Sequence, residues 1–205
     1  MPSFYDDLER RSADERLADL AEELPKLIEL AKTKTTHYRE SLAGFEPSAI
    51  SSPERLASLP VLRKSSLIQK PNQPLAVESV LPNDLSEINH IFQSPGPIFE
   101  VGMRKKDWWR FGRALVPVGI GNGDIIQNCF SYHFTPAGMM FETAAAAVGA
   151  TVVPAGIGQT ELQAQAVASL KVTAYAGTPD YLKAILEKGE ELGLDMSSVK
   201  KAVVS

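Results

Sequence analysis

Few side chains in this 205-residue chain have types and spacings that could do chemistry. The clearest group is the run Phe130-Ser131-Tyr132-His133-Phe134, which falls where an apolar stretch gives way to a helix start near Pro136. Aromatic rings at such a junction give a ligand apolar area and orientation with few polar groups, although packing alone equally accounts for Phe130 and Phe134. His133 has no carboxylate or cysteine partner in the sequence pattern, and His37 and His90 carry no signal. The single cysteine, Cys129, excludes an internal disulfide framework and a cysteine-rich metal site, and in an apolar strand it reads as a small core residue. The only basic cluster, Arg104-Lys105-Lys106, reads as a solvated helix start rather than a phosphate site. No residue is assigned as catalytic and none as a metal ligand.

The elements that must position these side chains follow from periodicity. Ser12-Ala13-Asp14-Glu15 is a capping-box pattern, and Leu17, Leu20, Ala21, Leu24, Leu27, Ile28 and Ala31 then recur at helical spacing. Pro25 is expected to kink or divide that helix. From Phe45 to about Glu87 the chain is rich in Pro and Ser and reads as connecting segments, with a short helix start at Ser52-Pro53-Glu54. Ile88–Phe92 and Ile98–Met103 read as strands around the turn Ser94-Pro95-Gly96-Pro97, and Lys106–Val118 as a helix. Strands are expected at Ile125–Phe130, Thr151–Val153, Val172–Tyr175 and Ala202–Ser205. The helices between them are expected at Ala137–Val148, Thr160–Ser169 and Pro179–Leu192, with Thr178 as a cap and Gly193 as a stop. Strands alternating with helices predict an α/β fold whose mostly parallel sheet is covered on both faces and takes ligands beyond its carboxyl edge. The expected organisation is an N-terminal helical region over residues 1–58 and an α/β domain over 59–205.

Composition narrows the function classes. The chain is 44% hydrophobic and 22% charged with a formal net charge of −4, which describes an ordinary globular protein and not a nucleic-acid binder. No apolar run approaches the ~20 residues of a membrane span and no leader pattern opens the chain, so the cytoplasm is the expected location.

Motifs at Gly123–Asp124, at Phe130, Tyr132 and Phe134, at Gly149–Pro154 with Gly158–Gln163, and at Thr178–Tyr181 occur in one order. Leu59-Pro60-Val61-Leu62-Arg63-Lys64-Ser65-Ser66-Leu67 adds an "LP-x-x-x-K-x-x-L" segment. In this the chain resembles the N-terminal part of the phenylacetate–CoA ligase family of adenylate-forming, AMP-dependent synthetases, from about Leu59 to Ser205. The resemblance implies a partial large-domain core of an enzyme that joins a carboxylic acid to ATP with magnesium and then passes the acyl group to coenzyme A. It places Phe130, Tyr132 and Phe134 in an acyl pocket, with Tyr132 matching the family's pocket tyrosine, and implies a small aromatic or fatty acid as ligand.

The same resemblance puts the family's phosphate-handling loop, S-S-G-T-T-G-K-P, on Ile91–Ile98, counting back from Lys106-Asp107. Gly96 matches its last glycine and Ser94 a threonine hydroxyl, but Pro97 stands at the lysine position, Pro95 and Pro97 have no N–H, and Glu100 adds negative charge. A loop of this kind opposes ATP. The family's later "G-x-E" and "Y-G-x-T/S-E" motifs, its ribose aspartate and its C-terminal lysine have no counterpart before Ser205. The expectation is therefore a truncated or degenerate ligase-like chain that does not adenylate by itself. A non-catalytic aromatic-acid-binding or interaction module and one half of a split ligase remain as alternatives. A sheet ending at Ala202–Ser205 should present a strand edge, predicting a homodimer or association with a second half.

Overall fold

A computed structural model of the protein describes residues 4–68 and 85–205, so residues 69–84 of the expected connecting segment lie outside the described residues. Its contacts divide the chain into two compact units, Arg10–Met103 and the pair of segments Met1–Glu9 and Arg104–Ser205. The domain boundary expected after residue 58 falls inside the first of these.

In the Arg10–Met103 unit, helix α1 spans Ala13–Lys34 and starts on the full capping box: the Ser12 hydroxyl accepts from the Glu15 N–H while the Glu15 carboxylate accepts from the Ser12 N–H. The helix runs uninterrupted through Pro25, so the expected division does not occur. Thr35 closes it and caps α2, Thr36–Ser41, by accepting from the Tyr38 N–H. Ile28, Leu42 and Ile50 form a small buried cluster with Tyr38, Phe45 and Leu59 around it. Ser52 caps the short helix α3, Pro53–Leu56. Strands β1, Ile88–Ser94, and β2, Ile98–Met103, pair as an antiparallel hairpin around the turn at Pro95-Gly96-Pro97.

The second unit holds the expected parallel sheet. Its strands are β3 (Ile125–Asn128), β4 (Thr151–Val153), β5 (Ala174–Gly177) and β6 (Lys201–Val204), ordered β4-β3-β5-β6 with every neighbouring pair parallel. Alternation along β3 sends Ile126 to one face, against Phe141, Ala144 and Ala145, and Ile125 to the other, where Cys129, just past the strand, packs with Ala164, Val167, Tyr175 and Ile185. Helix α5 (Ala137–Val148) thus covers the first face, while α6 (Thr160–Leu170) and α7 (Pro179–Glu191) cover the second. Small side chains on α5 (Ala144 and Ala145, both 0% exposed) let it lie close to the sheet.

The helix expected over Lys106–Val118 is a correction. Asp107 and Arg110 adopt left-handed backbone angles (φ 46° and 61°), so only the one-turn helix α4, Gly112–Leu115, forms, followed by a 3-10 turn at Val116–Val118 that contains Pro117. The Asp107 carboxylate accepts from the Gly112 N–H (2.9 Å) and fixes that bend. Arg113 on α4 donates to Asp6 (2.6 Å) and lies 3.9 Å from Glu9, tying the first segment of the chain to this unit.

Candidate functional site

Three loops leave the carboxyl edge of the parallel sheet. They connect β3 to α5, β4 to α6 and β5 to α7. The last residue of β3, Asn128, is fully buried and organises the first of them. Its Nδ2 donates to the Tyr132 hydroxyl (2.8 Å) and to the Gly138 carbonyl (2.8 Å), while its Oδ1 accepts from the Phe130 N–H (3.2 Å). The Tyr132 ring lies against the backbone of α5, where a Cβ added at Gly138 would come within 2.8 Å of the ring. Burial, then the negative charge of Glu142, raise the pKa of the Tyr132 hydroxyl above the ordinary phenol value, so it stays neutral and able to donate a hydrogen bond.

The three aromatic residues of the predicted pocket have different surroundings. Phe130 stacks on Phe141 (centroids 4.5 Å apart, planes 13° apart), and Phe111 meets Phe141 edge-on at 5.3 Å. Phe130 therefore packs into the core beneath the site. Phe134 is 74% exposed with a left-handed φ of 60°. Only Tyr132 combines partial burial, a fixed hydroxyl and a place at the sheet edge. His133 is exposed and its N–H donates to Ser131 Oγ (3.2 Å). Cys129 is 4% exposed and its Sγ donates to Gln163 Oε1 (2.9 Å); burial pushes the thiol up to about 12 against weaker opposing hydrogen bonds from Gln127 and Tyr175. That makes it inert at neutral pH.

Ser94 and Gly96 belong to the β1–β2 hairpin of the other unit. The Ser94 hydroxyl is turned onto the hairpin itself, donating to Glu100 Oε1 (3.1 Å) and the Ile98 carbonyl (3.3 Å). Glu100 lies 3.9 Å from Lys64. No group of three or more His, Cys, Asp or Glu among the described residues is arranged to hold a metal ion. Among the same residues no helix is long and apolar enough to cross a membrane.

Gln127 and Asn128 do not stand out by residue type or spacing, and Gln163 does so only as a motif position. A signal is present in a Gln-Asn pair closing an apolar strand, since buried amides need partners: Asn128 uses both ends of its amide, and Gln127 donates through Nε2 to Gln163 while its Oε1 has no partner among the described residues.

No protein-family profile matches the chain. Single proteins do. It is 28% identical over 200 residues to phenylacetate-coenzyme A ligase of Aromatoleum evansii, covering 95% of this chain and 45% of that protein. It is 26% identical to the enzyme of the same name from Thermus thermophilus, covering 88% and 42%. The chain is related to the phenylacetate-coenzyme A ligases. A 2-hydroxyisobutyryl-CoA ligase solved in the postadenylation state with 2-HIB-AMP shares its fold, with a TM-score of 0.82 at 24% identity over 94% of this chain and 43% of the other. The same ligase solved with 2-HIB-AMP and CoA gives a TM-score of 0.80. The parallel sheet with its flanking helices thus matches the fold of part of that CoA ligase, and the chain spans less than half the length of the phenylacetate-coenzyme A ligases it matches.

Proposed function

We propose that this chain supplies the acid-binding part of an acid–CoA ligase and that its ligand is a small aromatic carboxylic acid bound beside Tyr132. The observation that carries the reading is the Tyr132 side chain, held at the carboxyl edge of the sheet by Asn128 and seated on the bare backbone of Gly138. A half-buried ring fixed in this way gives an aryl group a flat apolar contact, and its neutral hydroxyl gives a polar mark for orientation. The names of the related ligases support an acid of this class.

The chain is proposed not to form an acyl-adenylate by itself. At the position that the family resemblance assigns to phosphate handling, Pro95 and Pro97 offer no N–H, and the Ser94 hydroxyl is spent on Glu100. These residues do not fit a triphosphate. That same hairpin favours, as a second reading, a module that binds the acid without acting on it. Association is proposed as a homodimer or with a second ligase half along β6, an edge strand whose Val204 is 47% exposed.

Ligand-observed NMR with phenylacetate tests the first reading. Binding should be weak, on the order of millimolar, and Tyr132→Ala should weaken it by about 1 kcal/mol or more. Equal signals from both proteins, or none from the wild type, would overturn it. Acid-dependent pyrophosphate release with ATP and magnesium would refute the absence of adenylation. A clean monomer by light scattering at tens of micromolar would count against self-association.

A further inference from the structure

The loop from Pro154 to Gln159 joins β4 to α6 and carries a cluster of left-handed residues: Gly156 (φ 64°), Gly158 (φ 79°) and Gln159 (φ 54°). A non-glycine residue in that region is disfavoured by its Cβ, so the loop keeps this shape only where its surroundings hold it. Gln163, one turn into α6 and 3% exposed, is the principal holder. Its Nε2 donates to the carbonyls of Gly156 (2.9 Å) and Gly158 (3.0 Å). Its Oε1 accepts from Gln127 Nε2 (2.8 Å) and Cys129 Sγ (2.9 Å). Both amide hydrogens and both lone pairs are therefore used, which fixes the side chain in one orientation. On the loop's exposed side the Tyr181 hydroxyl donates to the same Gly158 carbonyl.

The fastened loop reaches the tyrosine by two routes. The Gly156 N–H donates to the Asn128 carbonyl (2.9 Å), and the Asn128 side chain holds the Tyr132 hydroxyl. A Cβ at Gly156 would also stand 3.9 Å from Tyr132 Cδ2, so the loop backbone faces the ring across one layer of atoms. We infer that Gln163 is a positioning residue for Tyr132, setting through Gly156 and Asn128 where the aromatic wall of the site stands. The inference rests on the aromatic-acid reading for its functional meaning, but the geometry it asserts is independent of any ligand. In this arrangement Gln127 and Cys129 are supports for Gln163: one amide and one protonated thiol that saturate its oxygen.

The test uses the full chain labelled with 3-fluorotyrosine at its 5 tyrosines, with Tyr132→Phe assigning the Tyr132 fluorine line. Gln163→Met keeps the length of the side chain and removes all of its hydrogen bonds. Tyr181→Phe removes the second donor to Gly158 from a less buried position. In Gln163→Met the Tyr132 line should move by more than its width while the Tyr5 and Tyr38 lines stay in place. Phenylacetate affinity should fall about fivefold, equivalent to ~1 kcal/mol. Tyr181→Phe should move the Tyr132 line in the same direction and by less. A purely structural role for Gln163 would lower the melting temperature and leave the Tyr132 line unmoved, and that result overturns the inference. Should Gln163→Met fail to fold, Gln163→Glu, which keeps the acceptor oxygen and removes both donors to Gly156 and Gly158, takes its place, and an unmoved Tyr132 line there overturns the inference equally. A wild-type protein that does not bind phenylacetate removes the aromatic-acid reading, and the fluorine line alone then decides the positioning role.

Discussion

Replacing Lys201 by methionine should destabilise the sheet by about 2 kcal/mol, and the size of that loss can be built from its contacts. Lys201 opens β6 and reaches past β5 to Asp124, which precedes β3. Its Nζ donates to both carboxylate oxygens at 2.8 Å and to the Gly119 carbonyl at 2.6 Å. Asp124 also accepts from Thr173 Oγ1 (2.7 Å) and the Gly121 N–H (2.9 Å). The two side chains are only 30% and 10% exposed. Removing one partner of a fully buried pair costs about 3–5 kcal/mol, and the two donors left on Asp124, with the partial exposure of the ammonium, bring the expected loss to the lower figure. Burial alone would raise the Asp124 carboxyl. The Lys201 ammonium, the Gly121 N–H and the Thr173 hydroxyl outweigh it and hold the carboxyl below its ordinary value of 3.8. A depressed carboxyl stabilises the fold above its unfolded-state value, and that stabilisation is lost as pH falls through the folded-state value. The gap between wild type and Lys201→Met should therefore be widest near neutral pH and narrow below about pH 4. Urea unfolding of wild type, Lys201→Met, Asp124→Asn and the double variant measures both the loss and the coupling. A coupling under about 0.5 kcal/mol, or a gap that stays constant into acid, would refute the reasoning.

Two further outcomes separate core from site. Phe130→Ala should cost about 3 kcal/mol of stability by emptying the stack on Phe141, whereas Phe134→Ala should stay within about 0.5 kcal/mol, both read from unfolding midpoints. Cys129 should resist iodoacetamide at neutral pH in the native protein and react only after denaturation, and fast native labelling followed by mass spectrometry would contradict its buried, high-pKa setting.

The parallel unit was legible because its signals are local and agree with one another. The β-branched strand Thr151–Val153, the proline at the start of α7 and the left-handed Gly193 after it each fix a boundary without reference to distant residues. The segment after Lys106 was not legible, since nothing local announces that Asp107 and Arg110 leave the helical region; the bend depends on a carboxylate reaching Gly112. The site was half legible. An aromatic run at a strand end points to Tyr132, yet which rings line the site and which fill the core depends on Phe141 from α5, a partner that spacing along β3 does not show. The supports of the tyrosine, Asn128 and Gln163, emerge only when buried amides are matched with the carbonyls they satisfy.

The attachment of Asp6 to Arg113 joins residues 107 positions apart, and this has a consequence for how the protein is made. At typical rates of ~5–20 residues per second, the first segment is synthesised roughly 5–20 s before its anchor. The whole of Arg10–Met103 is synthesised in that interval, while the opening residues wait without their anchor as a tail. Any extension fused to the amino terminus travels with that tail and must be accommodated when it docks. Expression with a bulky amino-terminal fusion should therefore yield less folded protein than the same fusion placed on a flexible spacer, a comparison that soluble yield reads directly.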